Sequence, residues 1–293
     1  METFRTSGGE LAHTDEGEGA AVVLVHGFPT SSVLWRAVAP RLVARMRVIA
    51  VDLVGFGRSE KPAGAPLHIR AQAAYIRELL RGKGIEEFAI AGHDIGGGVA
   101  QLLALEGGVR ALALVDSIAF DTWPIEGVRM IQEASPEQET PEFVRDVLGV
   151  ALDLGLARPE ALPADVRDAY LAPFSGEEGA RAFFRAARAI DGQGLAGRED
   201  ELARLDVPTL LVWGEDDPYI PVEVADRLAE MLAHATEVLL PGCSHFLPED
   251  APDTLADLLS EFLRVRFLGL PHGHEHAASP GPVPVEIRRR GPA

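Results

Sequence analysis

The 293-residue chain has a single cysteine, Cys243, and few positive charges for its size. One cysteine cannot close an intrachain disulfide, which is typical of proteins in a reducing compartment. The chain has 27 lysine and arginine residues against 45 aspartate and glutamate residues, which gives a formal net charge of −18. A field of that sign repels nucleic-acid phosphates and anionic lipid surfaces. We therefore expect neither a nucleic acid nor a membrane as a partner.

Two further patterns are missing. Residues 1–6 lack the basic-then-apolar pattern of a secretory signal, and no apolar run approaches the roughly 20 residues that a membrane-spanning helix needs. We therefore expect a soluble cytoplasmic protein. The sequence also has no internal repeat of constant period, which excludes solenoids and propellers. Its length and its apolar content of 47% suffice for one large domain, or for one domain with an insertion.

Short apolar runs alternate with longer amphipathic runs, a pattern typical of parallel strands joined by crossover helices. Six short runs are predicted strands: residues 21–25, 48–51, 88–91, 111–115, 209–213 and 237–240. Five runs have apolar residues at helical spacing: residues 32–43, 67–80, 99–106, 222–232 and 254–265. The sequence therefore predicts an α/β fold in which helices cover both faces of a buried sheet.

The alternation stops between residues 121 and 205, where prolines separate runs that look helical. We predict a helical insertion there, at the carboxyl edge of the sheet, where open α/β sheets place their ligands. Ordinary packing helices are the alternative interpretation. The core would then comprise residues 1–120 and 206–270, and we expect a disordered tail over residues 271–293, which are rich in proline and histidine.

The tail also contains three alternating histidines, His272, His274 and His276. Such a pattern could bind a metal ion, but without a rigid scaffold it makes a weak site. We therefore expect a solvated tail, and we predict neither a metal nor a cofactor.

The first catalytic candidate follows the predicted strand 88–91, where Gly92 to Gly98 leads into a helix. A small residue stands two places before and two places after Asp94, as a tight strand-to-helix turn requires. This turn would display the Asp94 side chain and aim the amide of Ile95 at it. Helix capping by Asp94 is the structural alternative. Phosphate binding by the glycines is less favoured, because neither the dinucleotide spacing nor a P-loop lysine is present.

An acid and a histidine follow two later strands. Asp216 and Asp217 lie in the loop after the predicted strand 209–213, and His245 lies in the loop after the next strand. The order nucleophile, acid, histidine matches a known chain order of catalytic triads. The spacing from Gly214 favours Asp217 over Asp216 as the acid.

With these motifs in order, the chain resembles an α/β-hydrolase from its beginning to about residue 268. Two more motifs support the resemblance, His-Gly-Phe-Pro at residues 26–29 and Asp-Leu-Val-Gly-Phe-Gly-Arg-Ser at residues 52–59. The resemblance implies a mostly parallel central sheet flanked by helices, with a helical cap inserted after the sixth strand. Residues 121–205 would form that cap, or lid.

The resemblance also assigns site residues. It implies that the amides of Phe28 and Ile95 form the oxyanion hole, and that Asp217 pairs with His245. Some relatives place the acid after the preceding strand, where Asp116 stands, so the identity of the acid stays open.

Most members of the superfamily have serine at the centre of the strand-to-helix turn, which is called the elbow. Asp94 at this position changes the chemistry. The His93-Asp94 pair resembles haloalkane dehalogenases, fluoroacetate dehalogenases and epoxide hydrolases. An aspartate, with an ordinary pKa of about 3.9, is ionised at neutral pH and needs no base to attack. Attack on a carbonyl would give an anhydride, whereas attack on a saturated carbon gives an ordinary ester. His245 would then activate the water that hydrolyses this ester.

The sequence contains three aromatic candidates for contact with the leaving group. Ile95 and Phe28 stand where haloalkane dehalogenases have halide donors, so Trp123 is the candidate N–H donor. Tyr170 and Tyr219 are candidates to protonate an epoxide oxygen, and lid packing is the alternative role of these aromatic side chains. The sequence favours epoxide opening slightly, with dehalogenation as the near alternative.

Two other function classes stay open at this point. One is a cofactor-free oxygenase or lyase on the same scaffold, with His245 as base and Asp94 acting electrostatically. The other is a receptor-type protein that only binds its ligand. All three readings imply a small-molecule partner, and the sequence leaves open whether the protein is a monomer or a homodimer.

Overall fold

The computed structural model describes residues 1–271 and 285–288. Over these residues the strands are β1 Glu2–Thr6, β2 Gly9–His13, β3 Ala21–Val25, β4 Arg47–Val51, β5 Phe88–Asp94, β6 Val109–Ser117, β7 Thr209–Gly214, β8 Ala235–Leu240 and β9 Glu286–Arg288. They form one sheet in the order β1-β2-β4-β3-β5-β6-β7-β8-β9. Strands β4, β3, β5, β6, β7 and β8 are parallel, while β1, β2 and β9 pair antiparallel at the edges.

In the described part of the chain the α-helices are α1 Ala39–Val43, α2 Ile69–Gly82, α3 Ile95–Glu106, α4 Glu126–Gln132, α5 Pro141–Gly155, α6 Ala164–Leu171, α7 Gly176–Arg188, α8 Glu199–Leu202, α9 Val222–Met231, α10 Leu247–Asp250 and α11 Pro252–Arg266. Helices α2, α3 and α9 contribute to the apolar cluster on one side of the sheet, and α1 and α11 contribute to the cluster on the other. The predicted α/β class, with a mostly parallel sheet between layers of helices, is confirmed.

The local reasons for these elements are those that the sequence indicated. All five residues of β3 are buried, and the run Ala-Val-Val-Leu-Val suits a strand covered on both faces. In α2, Ile69, Ala73, Ile76 and Leu80 recur at helical spacing and are buried against the sheet. Because the central strands are parallel, their carboxyl ends meet along one edge of the sheet, which places the loops after β3, β5, β7 and β8 together.

Helices α4 to α8 lie between β6 and β7, and we call them the inserted helices. Helix α7 is the central one, because α4 and α5 both pack against it. Its buried residues include Phe183 and Phe184, while Arg185 and Arg188 lie in its last turn, where they complement the helix dipole. The interpretation of these helices as a separate cap stays a prediction.

The structure differs from the sequence-based expectation in three places. The helix expected over residues 32–43 is divided into a 3-10 turn, Ser32–Trp35, and α1. The β1–β2 hairpin was not expected, because its apolar residues do not form a continuous run. Within the expected disordered tail, Glu286–Arg288 forms a strand on the outer edge of β8, where it satisfies backbone groups of that strand.

His272, His274 and His276, as well as the rest of residues 272–284 and 289–293, lie outside the described residues. Among the helices that are described, none combines the length and the apolar character needed to cross a membrane.

Candidate active site

The site is built around Asp94, the last residue of β5, which has φ 52° and ψ −121°. This left-handed backbone conformation is strained for a residue with a Cβ atom, and the adjacent start of α3 holds it in place. Small neighbours are required sterically. A Cβ atom at Gly92 would lie 2.6 Å from the Gly97 nitrogen, and one at Gly96 would lie 2.5 Å from the Val25 oxygen. The elbow that the sequence predicted is therefore present.

The loop after β3 supplies a hydrogen-bond donor to the Asp94 carboxylate. The Phe28 amide donates to Asp94 Oδ1 at 2.8 Å, and the Ile95 amide also stabilises the carboxylate. His26 fixes this loop, because its Nε2 accepts from the Leu53 amide at 3.0 Å while its Nδ1 lies 2.9 Å from the Gly27 oxygen. The two amides predicted for an oxyanion hole thus converge on one carboxylate.

The electrostatics of Asp94 reflect this position. Burial raises the pKa of its carboxyl group above the ordinary value, while positive charge on His245 and the amides of Ile95 and Phe28 act in the opposite direction. The carboxylate is therefore held by backbone donors and is poorly hydrated. Such a carboxylate is a stronger nucleophile than a fully hydrated one.

His245 and Asp217 meet in the loops after β8 and β7. His245 Nδ1 lies 2.9 Å from Asp217 Oδ2, and both residues are buried. Asp217 Oδ1 accepts from the amides of Tyr219 at 2.7 Å and Ile220 at 3.0 Å. Because the ionised carboxylate can only accept, His245 Nδ1 donates the hydrogen bond, and its Nε2 is left to act as a base.

The pKa of His245 is set by opposing effects. Burial lowers it, but the Asp217 carboxylate, through charge and hydrogen bond, and the charge of Asp94 together raise the pKa above the ordinary value. The protonated imidazolium is thus stabilised between two carboxylates. This is the electrostatic arrangement of a general base that must hold a proton during a reaction.

His93 links β5, which carries Asp94, to the loop that carries His245. Its ring is fully buried, and its Nε2 donates to the main-chain oxygen of His245 at 2.8 Å. The two imidazole rings lie with their centroids 4.7 Å apart. Burial and the positive charge of His245 hold the pKa of His93 well below the ordinary value, so it is neutral. The sequence offered the His-Asp pair as a family pattern but not this positioning contact.

The other acid candidates do not reach His245. Asp216 is exposed, and its amide donates to the Cys243 oxygen at 3.0 Å. Asp116 is buried at the end of β6, where its Oδ1 accepts from the Gly214 amide at 2.8 Å. Of the three candidates, the structure brings Asp217 to the histidine.

Four phenylalanines form an apolar wall beside Asp94. Phe28 packs against Phe56 and Phe183 with centroid distances of 6.2 and 5.3 Å, and Phe174 packs against the same two rings at 6.1 and 5.4 Å. All four side chains are buried. Phe183 comes from α7 and Phe174 from the 3-10 turn before it, so the inserted helices contribute half of this wall. Its apolar character suits a hydrocarbon substrate.

The three tryptophans lie in different environments. Trp123, in the segment before α4, is buried in the same apolar cluster as Phe28 and Ile95, and its Nε1 has no hydrogen-bond partner among the described residues. Trp213 donates to the Ile220 oxygen at 2.9 Å. Trp35 also has an unpartnered Nε1 in the described part of the chain, but it belongs to the cluster on the opposite side of the sheet.

The hydroxyls of the two tyrosine candidates have hydrogen-bond partners of their own. The Tyr170 hydroxyl donates to Glu249, and its ring belongs to the cluster on the side of the sheet away from Phe28. The Tyr219 ring lies 5.0 Å from the His245 ring, but its hydroxyl donates to the Ala151 oxygen at 2.8 Å. Each hydroxyl has taken an acceptor that the sequence could not reveal. Neither is oriented as a free donor to a leaving group.

One group of side chains among the described residues has metal-ligand character, namely Glu2, His13 and Asp15. The Lys83 ammonium lies 2.7 Å from Asp15 and 3.1 Å from Glu2. A cationic side chain therefore already neutralises these carboxylates, and the arrangement does not favour a metal ion.

Comparisons with known proteins also indicate an α/β-hydrolase. A model of the α/β-hydrolase family matches residues 22–258. Haloalkane dehalogenase 2 of Mycobacterium tuberculosis (strain H37Rv) is 30% identical over 268 residues, which cover 88% of this chain and 93% of that protein. 2-Hydroxymuconate semialdehyde hydrolase of Pseudomonas sp. (strain CF600) is 31% identical over 255 residues, which cover 85% and 88% of the two proteins.

Among solved structures, an α/β-hydrolase fold protein from Burkholderia ambifaria has a TM-score of 0.80 and 30% identity, and the match covers 88% of this chain and 96% of that one. The names of the similar proteins state different reactions. The side chains of the site must therefore decide which chemistry applies here.

Gly27 lies close to the Asp94 side chain, and substitution of this glycine tests the packing. A Cβ atom at Gly27 would lie 2.6 Å from Asp94 Oδ1. We expect Gly27→Ala to displace the carboxylate and to lower kcat on the order of a hundredfold. Gly149→Ala in α5 is the matched control, because its Cβ atom would meet nothing within 4 Å and should leave kcat unchanged. Equal kcat values for the two variants would contradict this packing.

Proposed function

The chain belongs to the α/β-hydrolase family, and we propose that it hydrolyses the bond between a saturated carbon and a halogen through an ester on Asp94. It is an enzyme, a hydrolase with haloalkane dehalogenase relatives. The observation that carries the finer proposal is the Asp94 carboxylate in the elbow, held through Oδ1 by the Phe28 amide. An elbow carboxylate forms a stable ester only by displacing a leaving group from a saturated carbon.

The first step is a displacement. Asp94 Oδ2 attacks the carbon, the carbon–halogen bond breaks, and the halide leaves with the electron pair. The hydrogen bond from Phe28 to Oδ1 orients the carboxylate so that Oδ2 faces the substrate. No proton moves in this step, so His245 is not needed for it.

The second step is hydrolysis of the ester. His245 Nε2 removes a proton from water, the hydroxide attacks the Asp94 carboxyl carbon, and the oxyanion is stabilised by the amides of Phe28 and Ile95. The intermediate collapses, and the alcohol leaves with the proton held by His245. Asp94 is left as a carboxylic acid and returns to the carboxylate by releasing its proton to solvent. Asp217 stabilises the imidazolium while that proton is present. The products are an alcohol, a halide ion and a proton.

The hydrogen bonds of the two tyrosines support a halide over an epoxide oxygen as the leaving group. An epoxide oxygen must be protonated as the ring opens, but the hydroxyls of Tyr170 and Tyr219 both donate to other acceptors. A halide leaves as an anion, and a buried anion requires an N–H or O–H donor. Trp123 Nε1 is buried in the apolar cluster of Phe28 and is unpartnered within the described residues. We therefore favour halide release over epoxide opening, with Trp123 Nε1 as the hydrogen-bond donor to the halide.

Trapping of the covalent intermediate tests the two-step scheme. We expect His245→Ala to be alkylated by 1-bromobutane and to stop there, because only the second step needs a base. Intact-protein mass spectrometry should show one butyl adduct, and peptide mapping should place it on Asp94. Asp94→Ala is the control and should show no adduct. An unmodified His245→Ala protein would contradict the scheme and would favour a lyase, an oxygenase or a binding protein.

Replacement of tryptophans tests the leaving-group donor. Trp123→Phe removes a hydrogen bond to an anion worth about 1.5–3 kcal/mol, so the rate of halide release should fall roughly 10- to 100-fold. Trp35→Phe is the matched control, because it removes a buried unpartnered N–H on the other side of the sheet. Similar losses in both variants would exclude Trp123 as the donor. Diol formation from 1,2-epoxybutane without halide release would restore epoxide opening.

The raised pKa of His245 predicts the pH dependence. The base must be unprotonated, so the ester-hydrolysis rate should rise as pH increases through the pKa of His245. In the ester Asp94 is uncharged, so Asp217 alone of the two carboxyl groups still raises this pKa. Asp217→Asn removes the charge that raises this pKa, so the acid limb should move to lower pH. The plateau rate should fall on the order of 10³- to 10⁴-fold. An acid limb that does not move would contradict the assignment of Asp217.

A further inference from the structure

A second buried carboxyl group lies close to the site. Asp116, near the end of β6, is completely buried and has a left-handed φ of 41°. Strand β6 lies between β5, which carries Asp94, and β7, which leads to Asp217. The two residues after Asp116 contact the backbone of Asp94. Ser117 pairs with Asp94 across the sheet, and the Ile118 amide donates to the main-chain oxygen of Asp94 at 3.3 Å. A strained, buried polar residue at such a junction calls for a role.

The contacts of Asp116 join two loops of the site. Its Oδ1 accepts from the Gly214 amide at 2.8 Å, and the Gly214 oxygen in turn accepts from the Asp217 amide at 3.3 Å. Gly214 also touches the histidine loop, because a Cβ atom there would lie 2.6 Å from the Cys243 oxygen. Asp116 therefore fixes the point at which the acid loop meets the histidine loop.

The charge state of Asp116 follows from its surroundings. Burial holds its pKa well above the ordinary value, and the negative charges of Asp217 and Asp250 raise it further, against the opposing effect of the Gly214 and Leu247 amides. Its Oδ2 makes no hydrogen bond within the described part of the chain. These effects favour the protonated, neutral form of Asp116, and Asp217 is the carboxyl group that faces the histidine.

We propose that Asp116 is a positioning residue: its Oδ1 holds Gly214 by accepting the amide hydrogen bond, a role that needs no charge, and thereby fixes Asp217 against His245. This inference rests on the proposed function for the meaning of the His245–Asp217 pair. Asp116 acts through Asp217 and is not itself the acid that pairs with the histidine.

Two substitutions separate this role from its alternatives. Asp116→Asn keeps a carbonyl oxygen that can accept from Gly214 and stays neutral, whereas Asp116→Ala removes the acceptor. The first readout is the downfield proton NMR resonance of His245 Nδ1–H in the resting enzyme, identified by its loss in His245→Gln. We expect the resonance in the wild type and in Asp116→Asn, and its loss through exchange in Asp116→Ala.

The second readout is the kinetics of halide and alcohol release from 1-bromobutane. A displaced acid loop should lower kcat on the order of tenfold in Asp116→Ala while KM changes little, because substrate does not contact this residue. Asp116→Asn should restore kcat to near the wild-type value. Asp52→Ala is the control, since it removes another buried carboxyl group, which accepts hydrogen bonds from the amides of Ser32 and Arg58. It should keep the His245 resonance even where it lowers Tm.

A third readout is the pH dependence of stability. The folded-state pKa of Asp116 lies above its unfolded value, so the folded state loses stability as pH rises from the ordinary carboxyl range towards the raised pKa. Asp116→Asn should remove this part of the slope. If Asp116 kept its ordinary pKa in the folded state, the wild type would show no such slope and Asp116→Asn would not change it.

The outcomes are decisive. Retention of both the resonance and kcat in Asp116→Ala would overturn the proposal. Loss of both in folded Asp116→Asn would also overturn it, because the charge of Asp116 would then be required. If the wild-type enzyme releases no halide, the proposed function fails, while the resonance and the pH dependence of stability still decide the role of Asp116.

Discussion

The site depends on the backbone conformation of one residue, Asp94. Its φ of 52° turns β5 into α3 within a single residue, which displays the carboxylate and directs the first amide of the helix towards it. This turn is tolerated only because Gly92 and Gly96 leave no Cβ atoms in the way. Gly27 lets the loop after β3 approach until the Phe28 amide reaches Oδ1. Replacement of any of these glycines by a larger residue would separate the carboxylate from its donors.

Burial of charge sets the chemistry of the residues around this turn. Asp94 receives backbone donors but is also poorly hydrated, which raises its pKa and suits the nucleophilic role that we propose for it. Asp217 is surrounded by donors from two amides and one imidazole, which suits it to hold a charge and not to react. Two carboxylates of one chain are thus given different roles by their hydrogen bonds. His245 lies between them, where both charges stabilise its protonated form.

The inserted helices complete the apolar surroundings. Phe174 and Phe183 cover the loops that carry Phe28 and Phe56, which leaves Asp94 beside an aromatic wall. In such surroundings a departing anion has few donors, and the unpartnered indole of Trp123 gains importance. The proposed reaction therefore depends on the helical segment as much as on the triad.

The sequence alone determined the features that follow from local spacing. Alternating apolar runs predicted the parallel core strands within a few residues, and small residues around Asp94 predicted the elbow, because backbone sterics act over short distances along the chain. The tertiary structure alone decided which acid meets His245, since Asp116, Asp216 and Asp217 lie in loops whose separation depends on how β6, β7 and β8 are packed. It also directed the hydroxyls of Tyr170 and Tyr219 to Glu249 and Ala151. A side-chain hydrogen bond goes to whichever acceptor the folded chain brings within about 3 Å, and sequence spacing does not contain that distance.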